Sequence, residues 1–284
     1  MPTIQDLTTD PKPTWCPGCG DFTILASLKN ALAELDIPQK DTVLVSGIGC
    51  GSKTPHYVKT YGFEGLHGRI LPVATGVKLS NNKLTVIGVG GDGDGYGIGT
   101  CHFVHTARRN IDMTYLVQNN RVYGLTKGQY SPTSMKNFKT STSPHGSIEQ
   151  GFNPIAQAII SGATFVARGF ALDIEHLKSL IVQAVKHKGF ALIDVFQPCV
   201  TFNKINTAQW YKERLYKIAE DHDPTSMSAA LRKSREFGDR IPYGVFYKAD
   251  KQTYEDQLPQ IQDIPLVKQD ISNIDMGKFF SKLK

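Results

Sequence analysis

Short apolar runs alternate with amphipathic segments over the first two hundred residues of the chain. The runs that have the length of buried strands are residues 42–46, 85–90, 113–117, 164–166 and 190–196. Near-helical spacing of apolar residues predicts helices at residues 72–79, 96–109, 154–160 and 174–187, and another that begins at Asp21, its expected N-cap. Strands and helices that alternate in this way predict a doubly wound, mostly parallel α/β sheet.

The pattern changes beyond residue 200, where aromatic side chains are scattered among charges without clear alternation. We therefore expect an α/β domain over residues 1–200, which starts with an extended arm, and a C-terminal extension over residues 201–284. The extension is expected to pack on the core or on a partner subunit. Residues 62–69 and 123–147 are predicted as loops, and the second is long enough to be expected at a functional site.

Oxygen-bearing side chains follow two of the predicted strands. Asp92 comes directly after the run at residues 85–90 within a glycine-rich turn, and Asn120 follows the run at 113–117. Because ligands of open parallel sheets bind at the carboxyl ends of the strands, these side chains are expected to meet. A carboxylate, an amide and a backbone carbonyl, here that of Val122, suit Mg²⁺, and the glycines let a phosphate approach the backbone. Asp94 is expected to be a turn residue or a support for Asp92.

Four of the five cysteines lie where they can converge. Cys16 and Cys19 precede the first predicted helix, whereas Cys50 and Cys199 follow predicted strands. Four thiolates suit a [4Fe–4S] cluster or tetrahedral zinc, and burial without metal is the third alternative. Spacing alone leaves these alternatives open. Cys101, on the apolar face of a predicted helix, is expected to be buried.

The motifs together resemble one family. They are residues 15–20 (WCPGCG), 47–50 (GIGC), 66–69 (LHGR), 91–93 (GDG) and 120–126 (NRVYGLT). In this order they resemble the β subunit of 2-oxoacid:ferredoxin oxidoreductases, which bind thiamine diphosphate. The resemblance implies coenzyme A-dependent oxidative decarboxylation of a 2-oxoacid to acyl-CoA and CO₂. It also implies a [4Fe–4S] cluster on Cys16, Cys19, Cys50 and Cys199 that passes electrons to ferredoxin.

The same resemblance assigns residues around the cofactor. Those expected to contact thiamine diphosphate and Mg²⁺ are Gly49, Cys50, Gly51, Ser52, His67, Gly91, Asp92, Gly93, Asp94, Asn120, Val122, Gly124 and Leu125. Family members commonly have a serine where this chain has Gly51, so a contact by that side chain is lost here. Lys53 and Leu125 are expected to line the substrate pocket. A lysine there can pair with a distal carboxylate, which favours 2-oxoglutarate over pyruvate.

An α subunit is expected as a partner. Thiamine enzymes usually use a glutamate on a pyrimidine-binding domain, and no residue of this chain has a matching context. We therefore expect the chain to be inactive alone. Two alternatives remain: a non-oxidative thiamine diphosphate-dependent decarboxylase or synthase, and a zinc-stabilised subunit without catalytic activity.

Composition limits the cellular location and the kinds of partner that we expect for the chain. Charged residues make up 20% of the chain, no apolar run approaches the length of a membrane span, and no basic cluster indicates nucleic-acid binding. Five cysteines, an odd number, argue against a disulfide framework. We expect a cytoplasmic protein with no membrane or nucleic-acid partner. The net charge of +6 is modest and is compatible with a docking face for an acidic partner.

Overall fold

The structure is a computed structural model that describes residues 2–272 and 274–283. Within these residues eight strands form one sheet in the order β2-β1-β3-β4-β8-β7-β10-β9, and β5 and β6 form a separate hairpin. The strands are β1 (Thr42–Ser46), β2 (Tyr61–Glu64), β3 (Thr85–Gly91), β4 (Met113–Asn119), β5 (Val122–Tyr123), β6 (Gln129–Tyr130), β7 (Phe165–Phe170), β8 (Phe190–Phe196), β9 (Leu215–Lys217) and β10 (Ile241–Lys248).

Six neighbouring strands of this sheet are parallel to one another: β2, β1, β3, β4, β8 and β7. β10 pairs with β7 in the antiparallel direction. Helices cover both faces of this sheet. The helices of the described residues are α1 (Asp21–Leu35), α2 (Ile70–Ser80), α3 (Thr100–Arg109), α4 (Pro154–Ser161), α5 (Ile174–Lys186), α6 (Ala208–Arg214), α7 (Met227–Ser234) and α8 (Met276–Ser281), the last of which has no buried residue. The predicted doubly wound, mostly parallel α/β fold is confirmed.

Two hydrophobic cores lie on opposite faces of the sheet. Alternate residues of β8 show the division, since Ile193 packs with α1 and α5 whereas Leu192 packs with α2, α3 and α4.

Capping side chains fix where two of the helices begin. Asn153 and Asp173 accept hydrogen bonds from the first turns of α4 and α5, and such caps contribute about 1 kcal/mol each.

Several elements differ from the prediction. Asp21 does not cap α1, because Gly20 is the capping residue and Asp21 is the buried first residue of the helix. The predicted helix at residues 96–109 is divided into a π-helical segment (Gly93–Ile98) and α3. Cys101 is exposed in the first turn of α3, so its expected burial is wrong; Phe103 and Ala107 fill the core instead.

Five strands were missed. The short strands β5 and β6 lie in or beside the loop predicted at residues 123–147, and β2 overlaps the loop predicted at residues 62–69 and is exposed along its length. β9 and β10 lie in the expected C-terminal extension and complete the sheet beyond β7. Part of residues 201–284 is therefore continuous with the main sheet, and the boundary expected at residue 200 stays a prediction. No helix in the described part of the chain is long and apolar enough to cross a bilayer.

Candidate active site

Four cysteine thiols line one cavity of ≈ 190 Å³ at the carboxyl end of the sheet. Cys16 and Cys19 come from the arm before α1, Cys50 follows β1, and Cys199 follows β8. The backbone of Gly124 approaches two of them: a Cβ atom on this glycine would lie 3.6 Å from Cys50 Sγ and 3.9 Å from Cys199 Sγ. The fold thus brings together thiols from three distant parts of the chain.

The arm is held against the sheet by its aromatic residue. Trp15 Nε1 donates a hydrogen bond of 2.7 Å to the Cys50 carbonyl, and the indole packs edge-on against Phe22 and Tyr57. Elsewhere on the cavity wall, Gln197 Nε2 donates to Cys19 Sγ at 3.2 Å. These two contacts fix where the cysteines of the arm stand relative to those of the strands.

Burial opposes ionisation of two thiols and one carboxyl group at this cavity, and the positive charge of Lys53 offsets the effect only in part at Cys50 and Asp21. Burial raises the pKa of Cys50 to about 11 and also raises that of Cys19, and the negative charge of Asp21 adds to both shifts. Asp21 is itself buried, neither of its oxygens has a hydrogen-bond partner among the described residues, and burial raises its pKa to about 7. Binding of a positively charged metal group would offset this cost.

The end of β3 holds Asp92 in a buried hydrogen-bond network. Asp92 Oδ2 accepts hydrogen bonds from the Ser131 hydroxyl at 2.5 Å and the Thr133 hydroxyl at 2.6 Å. The Thr133 hydroxyl also lies 2.8 Å from Asn119 Oδ1, so two acceptors share one proton. Burial raises the pKa of Asp92, and the two hydroxyls lower it. Both contacts involve Oδ2, which leaves Oδ1 available to a cation.

Asp94 joins three loops. Its Oδ1 atom accepts hydrogen bonds from the Ile48 amide at 3.0 Å and the Gly68 amide at 2.9 Å, and it lies 2.6 Å from His67 Nδ1. The close packing requires Gly47, because a Cβ atom there would lie 2.5 Å from both carboxylate oxygens. Asp94 therefore sets the positions of the segments after β1 and before α2.

The two asparagines at the end of β4 face different neighbours. Asn119 is linked through Thr133 to Asp92 and donates to Asp194 Oδ1 at 2.9 Å. Asn120 borders the thiol cavity, and its Oδ1 accepts a hydrogen bond of 3.0 Å from the Val122 amide. Asp92 and Asn120 thus lie at the ends of adjacent strands, but the network from Asp92 reaches Asn119 and not Asn120.

The segment after β1 offers an open backbone. Gly49 has a φ of +139°, which favours glycine, and no atom lies within 4 Å of where a Cβ would be. Gly51 is packed differently: a Cβ atom there would lie 2.9 Å from the Gln118 side chain, which donates to the Gly51 carbonyl. The serine common in the resembled family would therefore displace Gln118 here. The Ser52 hydroxyl is buried without a partner among the described residues.

Lys53 and Leu125 both border the thiol cavity. Lys53 Nζ donates to the Thr14 hydroxyl at 3.2 Å, and Leu125 is 47% exposed. Tyr123, two residues before Leu125, places its hydroxyl 3.1 Å from the Gly93 carbonyl and its ring edge-on to His67. The two residues expected to form a substrate wall thus lie at the rim of the cavity.

Known proteins resemble the chain over nearly its whole length. The model of the family described as "Thiamine pyrophosphate enzyme, C-terminal TPP binding domain" matches residues 47–195, and the model of the C-terminal part of the pyruvate ferredoxin oxidoreductase beta subunit matches residues 199–263. The β subunit of 2-oxoacid:ferredoxin oxidoreductase 1 from Aeropyrum pernix is 50% identical over 269 residues, which cover 90% of this chain and 85% of that protein. The chain belongs to the β subunits of the 2-oxoacid:ferredoxin oxidoreductases.

Two further comparisons support the same family assignment. The β subunit from Saccharolobus solfataricus is 51% identical over 260 residues, which cover 87% of this chain and 85% of that protein. A solved structure, the 2-oxoglutarate:ferredoxin oxidoreductase from Magnetococcus marinus with 2-oxoglutarate, coenzyme A and succinyl-CoA bound, superposes with a TM-score of 0.92 at 40% identity. The match covers 99% of this chain and 96% of that one. The chain therefore carries the thiamine diphosphate-binding domain of an oxidoreductase subunit.

Sequence analysis of this β subunit missed the residues that support its candidate ligands. Ser131 and Thr133, which bond Asp92, lie inside the segment predicted as a long active-site loop. A run of hydroxyl side chains within that loop was the available signal. Gln197, which contacts Cys19, comes two residues before Cys199, and polarity next to a candidate ligand was its only signal.

Proposed function

We propose that this β subunit acts with an α subunit in the coenzyme A-dependent oxidative decarboxylation of a 2-oxoacid to acyl-CoA and CO₂, with electrons passed through a [4Fe–4S] cluster to ferredoxin. One observation carries the proposal: four thiols surround one cavity at the same sheet edge as the buried carboxylate of Asp92. A redox group and a cofactor site share this edge in the proposed enzyme.

Cys16, Cys19, Cys50 and Cys199 are the proposed ligands of the cluster, which when bound supplies a one-electron exit. In the described part of the chain, no three Cys, His, Asp or Glu side chains are grouped as ligands of a single metal ion. The four thiols line one cavity, and four thiolates are the ligand set of a [4Fe–4S] cluster. Trp15 lines the cavity and limits the access of water.

Asp92 is the proposed carboxylate ligand of Mg²⁺, with Asn120 and the Val122 carbonyl as further oxygen donors. The donor chemistry fits, because Asp92 is buried, has no lysine or arginine partner among the described residues, and keeps Oδ1 free of side-chain hydrogen bonds. Mg²⁺ would neutralise this carboxylate and the diphosphate together. Asn120 would contribute if its amide turned from the Val122 N–H towards the end of β3.

Thiamine diphosphate, when bound, supplies the electron sink for decarboxylation. The residues proposed to hold it are Gly49, Cys50, Gly51, Ser52, His67, Gly91, Gly93 and Gly124. Ser52 has a buried hydroxyl without a partner among the described residues, and Asp94 fixes the His67 ring through Nδ1. Gly49 leaves open space in front of its backbone. These features support a phosphate cradle, with Asp94 as the residue that keeps its loops together.

Lys53 and Leu125 are the proposed walls of the substrate pocket. A lysine ammonium at the rim would pair with the distal carboxylate of 2-oxoglutarate, whereas pyruvate has no such group. Lys53→Ala is therefore expected to lower kcat/KM for 2-oxoglutarate more than for pyruvate, by at least about twofold in the ratio. An unchanged ratio would remove Lys53 from substrate selection.

The α subunit is the proposed partner at the carboxyl end of the sheet. Ile48, Leu66 and Ile98 are exposed apolar side chains on or beside the loops that Asp94 joins, so a partner that covered them would also close the cofactor site. The chain purified alone is expected to show no 2-oxoacid oxidation. We also propose a cytoplasmic location, where ferredoxin and coenzyme A are available.

The deciding experiment compares the lone chain with the αβ complex in an assay of acyl-CoA formation from pyruvate and 2-oxoglutarate with a one-electron acceptor. We expect turnover by the complex only, together with a visible absorption that dithionite bleaches. Decarboxylation without reduction of the acceptor would favour a non-oxidative thiamine enzyme, which has no need for four converging thiols. Zinc without iron, and no bound thiamine diphosphate, would favour a non-catalytic subunit.

A further inference from the structure

A second cavity, of ≈ 360 Å³, lies between the long loop, the start of α4 and the end of α7. The thiol cavity and this one are lined by different residues. More basic than acidic residues line it: four are basic and one is acidic. They are Arg121, Lys136, Arg168, Arg235 and Asp194. A cavity with this excess of positive charge favours an anion.

Two of the arginines are buried at the base of the cavity. Arg121 and Arg168 are 7% and 4% exposed, and the Nε atom of each lacks a hydrogen-bond partner among the described residues. Asp194, the acidic residue of the cavity lining, lies 3.6 Å from Arg168 Nε, and its Oδ1 atom accepts hydrogen bonds from Tyr96 and Asn119. Burial lowers the pKa of Arg168, Asp194 raises it, and the charge of Arg121 lowers it further. One carboxylate therefore serves two guanidinium groups.

The position of Arg121 is built into the fold. Its backbone has a φ of 60°, an uncommon conformation for a residue with a side chain, and Ser134 donates to its carbonyl at 2.6 Å. The guanidinium lies 4.4 Å from the ring centre of Phe237 and 5.6 Å from that of Phe196. The rings hold the group in place while its donors remain available to a ligand.

We propose that this cavity binds the phosphate group of a small molecule, a role beyond the proposed oxidoreductase activity. The Arg121 guanidinium offers paired N–H donors that match a phosphate, and Arg168, whose Nη1 already donates to the Pro242 carbonyl at 3.3 Å, adds its charge and its remaining donors. Lys136 and Arg235 at the mouth would attract a dianion. A carboxylate would satisfy fewer of these charges. The aromatic residues Phe152 and Phe237 give the rest of the ligand an apolar wall.

The test uses the full chain and inorganic phosphate, titrated by calorimetry with thiamine diphosphate and Mg²⁺ already present, so that a diphosphate cradle is filled. Arg121→Met keeps the packing between the rings and removes the donors; we expect phosphate affinity to fall by at least about tenfold. The matched control is Arg240→Met, since Arg240 also lies over a ring, that of Tyr216 at 4.5 Å, but outside the cavity.

Three results would overturn the proposal. The first is that the wild-type chain does not bind phosphate. The second is that Arg121→Met and Arg240→Met weaken phosphate binding equally, and the third is that succinate binds more tightly than phosphate. If Arg121→Met does not fold, Arg235→Met at the exposed mouth replaces it, with an expected loss of about threefold. Failure of thiamine diphosphate to bind would count against the proposed function alone, because the difference in phosphate affinity between Arg121→Met and Arg240→Met reports on this cavity even when the cradle is empty.

Discussion

Three aspartates at the two ends of the parallel sheet, one partly buried and two fully buried, differ in their ionic partners. At the amino end, Asp112 lies 2.9 Å from Lys78 Nζ and 3.4 Å from Lys188 Nζ. Burial alone would raise the pKa of Asp112, but the charges of Lys78 and Lys188 and the hydrogen bonds from Lys78 and the Gly189 amide together outweigh it, and the pKa is lowered. At the carboxyl end, Asp21 and Asp92 are buried with no lysine or arginine ion pair among the described residues, and their pKa values are raised.

Asp112 is thus paired with lysines of the fold, whereas Asp21 and Asp92 have no such pair and lie where a ligand is proposed to bind. Burying a carboxylate costs several kcal/mol unless a cation or hydrogen bonds compensate it. The hydroxyls of Ser131 and Thr133 supply part of this compensation at Asp92, and a bound cation would supply the rest. The raised pKa values of Cys19 and Cys50 follow the same pattern at the same end. The substitutions below test the contrast, in order of their expected effect on ligand binding.

The largest effect is expected from Cys50→Ser. Loss of one thiolate from a four-thiol site should lower the iron content of the purified αβ complex by at least about tenfold and abolish dithionite-bleachable absorption. Cys101→Ser is the matched control, because Cys101 is exposed on α3 and lies outside the cavity. Wild-type iron in the Cys50 variant would show that the cavity does not hold the cluster.

Asp92→Asn should weaken Mg²⁺-dependent binding of thiamine diphosphate by about a hundredfold, because the amide keeps the shape and loses the charge. Asp112→Asn makes the same chemical change at the other end of the sheet and should leave this affinity within about twofold. Calorimetric titration of the cofactor in excess Mg²⁺ measures both. Equal affinities for the two variants would remove the proposed difference between the two ends.

Thr133→Val removes one of the two hydroxyls that hold Asp92 and leaves the carboxylate itself. Loss of a residue that orients a metal ligand typically costs about tenfold in affinity, so we expect a smaller effect than that of Asp92→Asn. Thr142→Val, in an exposed part of the same loop, is the control. If Thr133→Val bound the cofactor as tightly as the wild-type chain, the network around Asp92 would be structural only.

The fold was largely predictable because its central strands are short apolar runs. β1 and β8 have the predicted bounds, since each is buried on both faces and ends at a glycine or a polar residue. β2 was not predictable from such a pattern, because all four of its residues are exposed at the sheet edge. β10 was not predicted because the sequence beyond residue 200 lacks clear alternation; the strand contains Pro242 and Gly244, residue types that are uncommon within strands, and it pairs antiparallel with β7.

The candidate site was predictable as far as strand order determines it. Cys50, Asp92 and Cys199 each follow a parallel strand, so the sheet alone brings them to one edge. The path of the long loop is not encoded in any periodicity, and for this reason Ser131 and Thr133 were missed. The roles of Asn119 and Asn120 depend on where β4 ends, because successive residues of a strand face opposite sides.

The substitution at the amino end of the sheet is expected to have the smallest effect on ligand binding and a large effect on stability. Asp112→Asn should lower the free energy of unfolding by about 3 kcal/mol at about pH 7, since the buried Lys78 would lose its ion pair and keep only its hydrogen bond to the Leu84 carbonyl. Lys78→Met combined with Asp112→Leu should restore most of this loss. Urea unfolding of the three chains measures it.

The pH dependence has a definite sign. Because the pKa of Asp112 is lowered in the folded chain, its stabilisation is complete above the ordinary aspartate value of 3.8 and is lost as the pH falls through the folded value. The difference between wild type and Asp112→Asn should therefore shrink in acid. Asp92 has a raised pKa, so ionising it costs stability as the pH rises above the ordinary value, and Asp92→Asn should gain stability there when no cofactor is bound. Equal pH responses of the two variants would mean that the two ends do not differ in charge compensation.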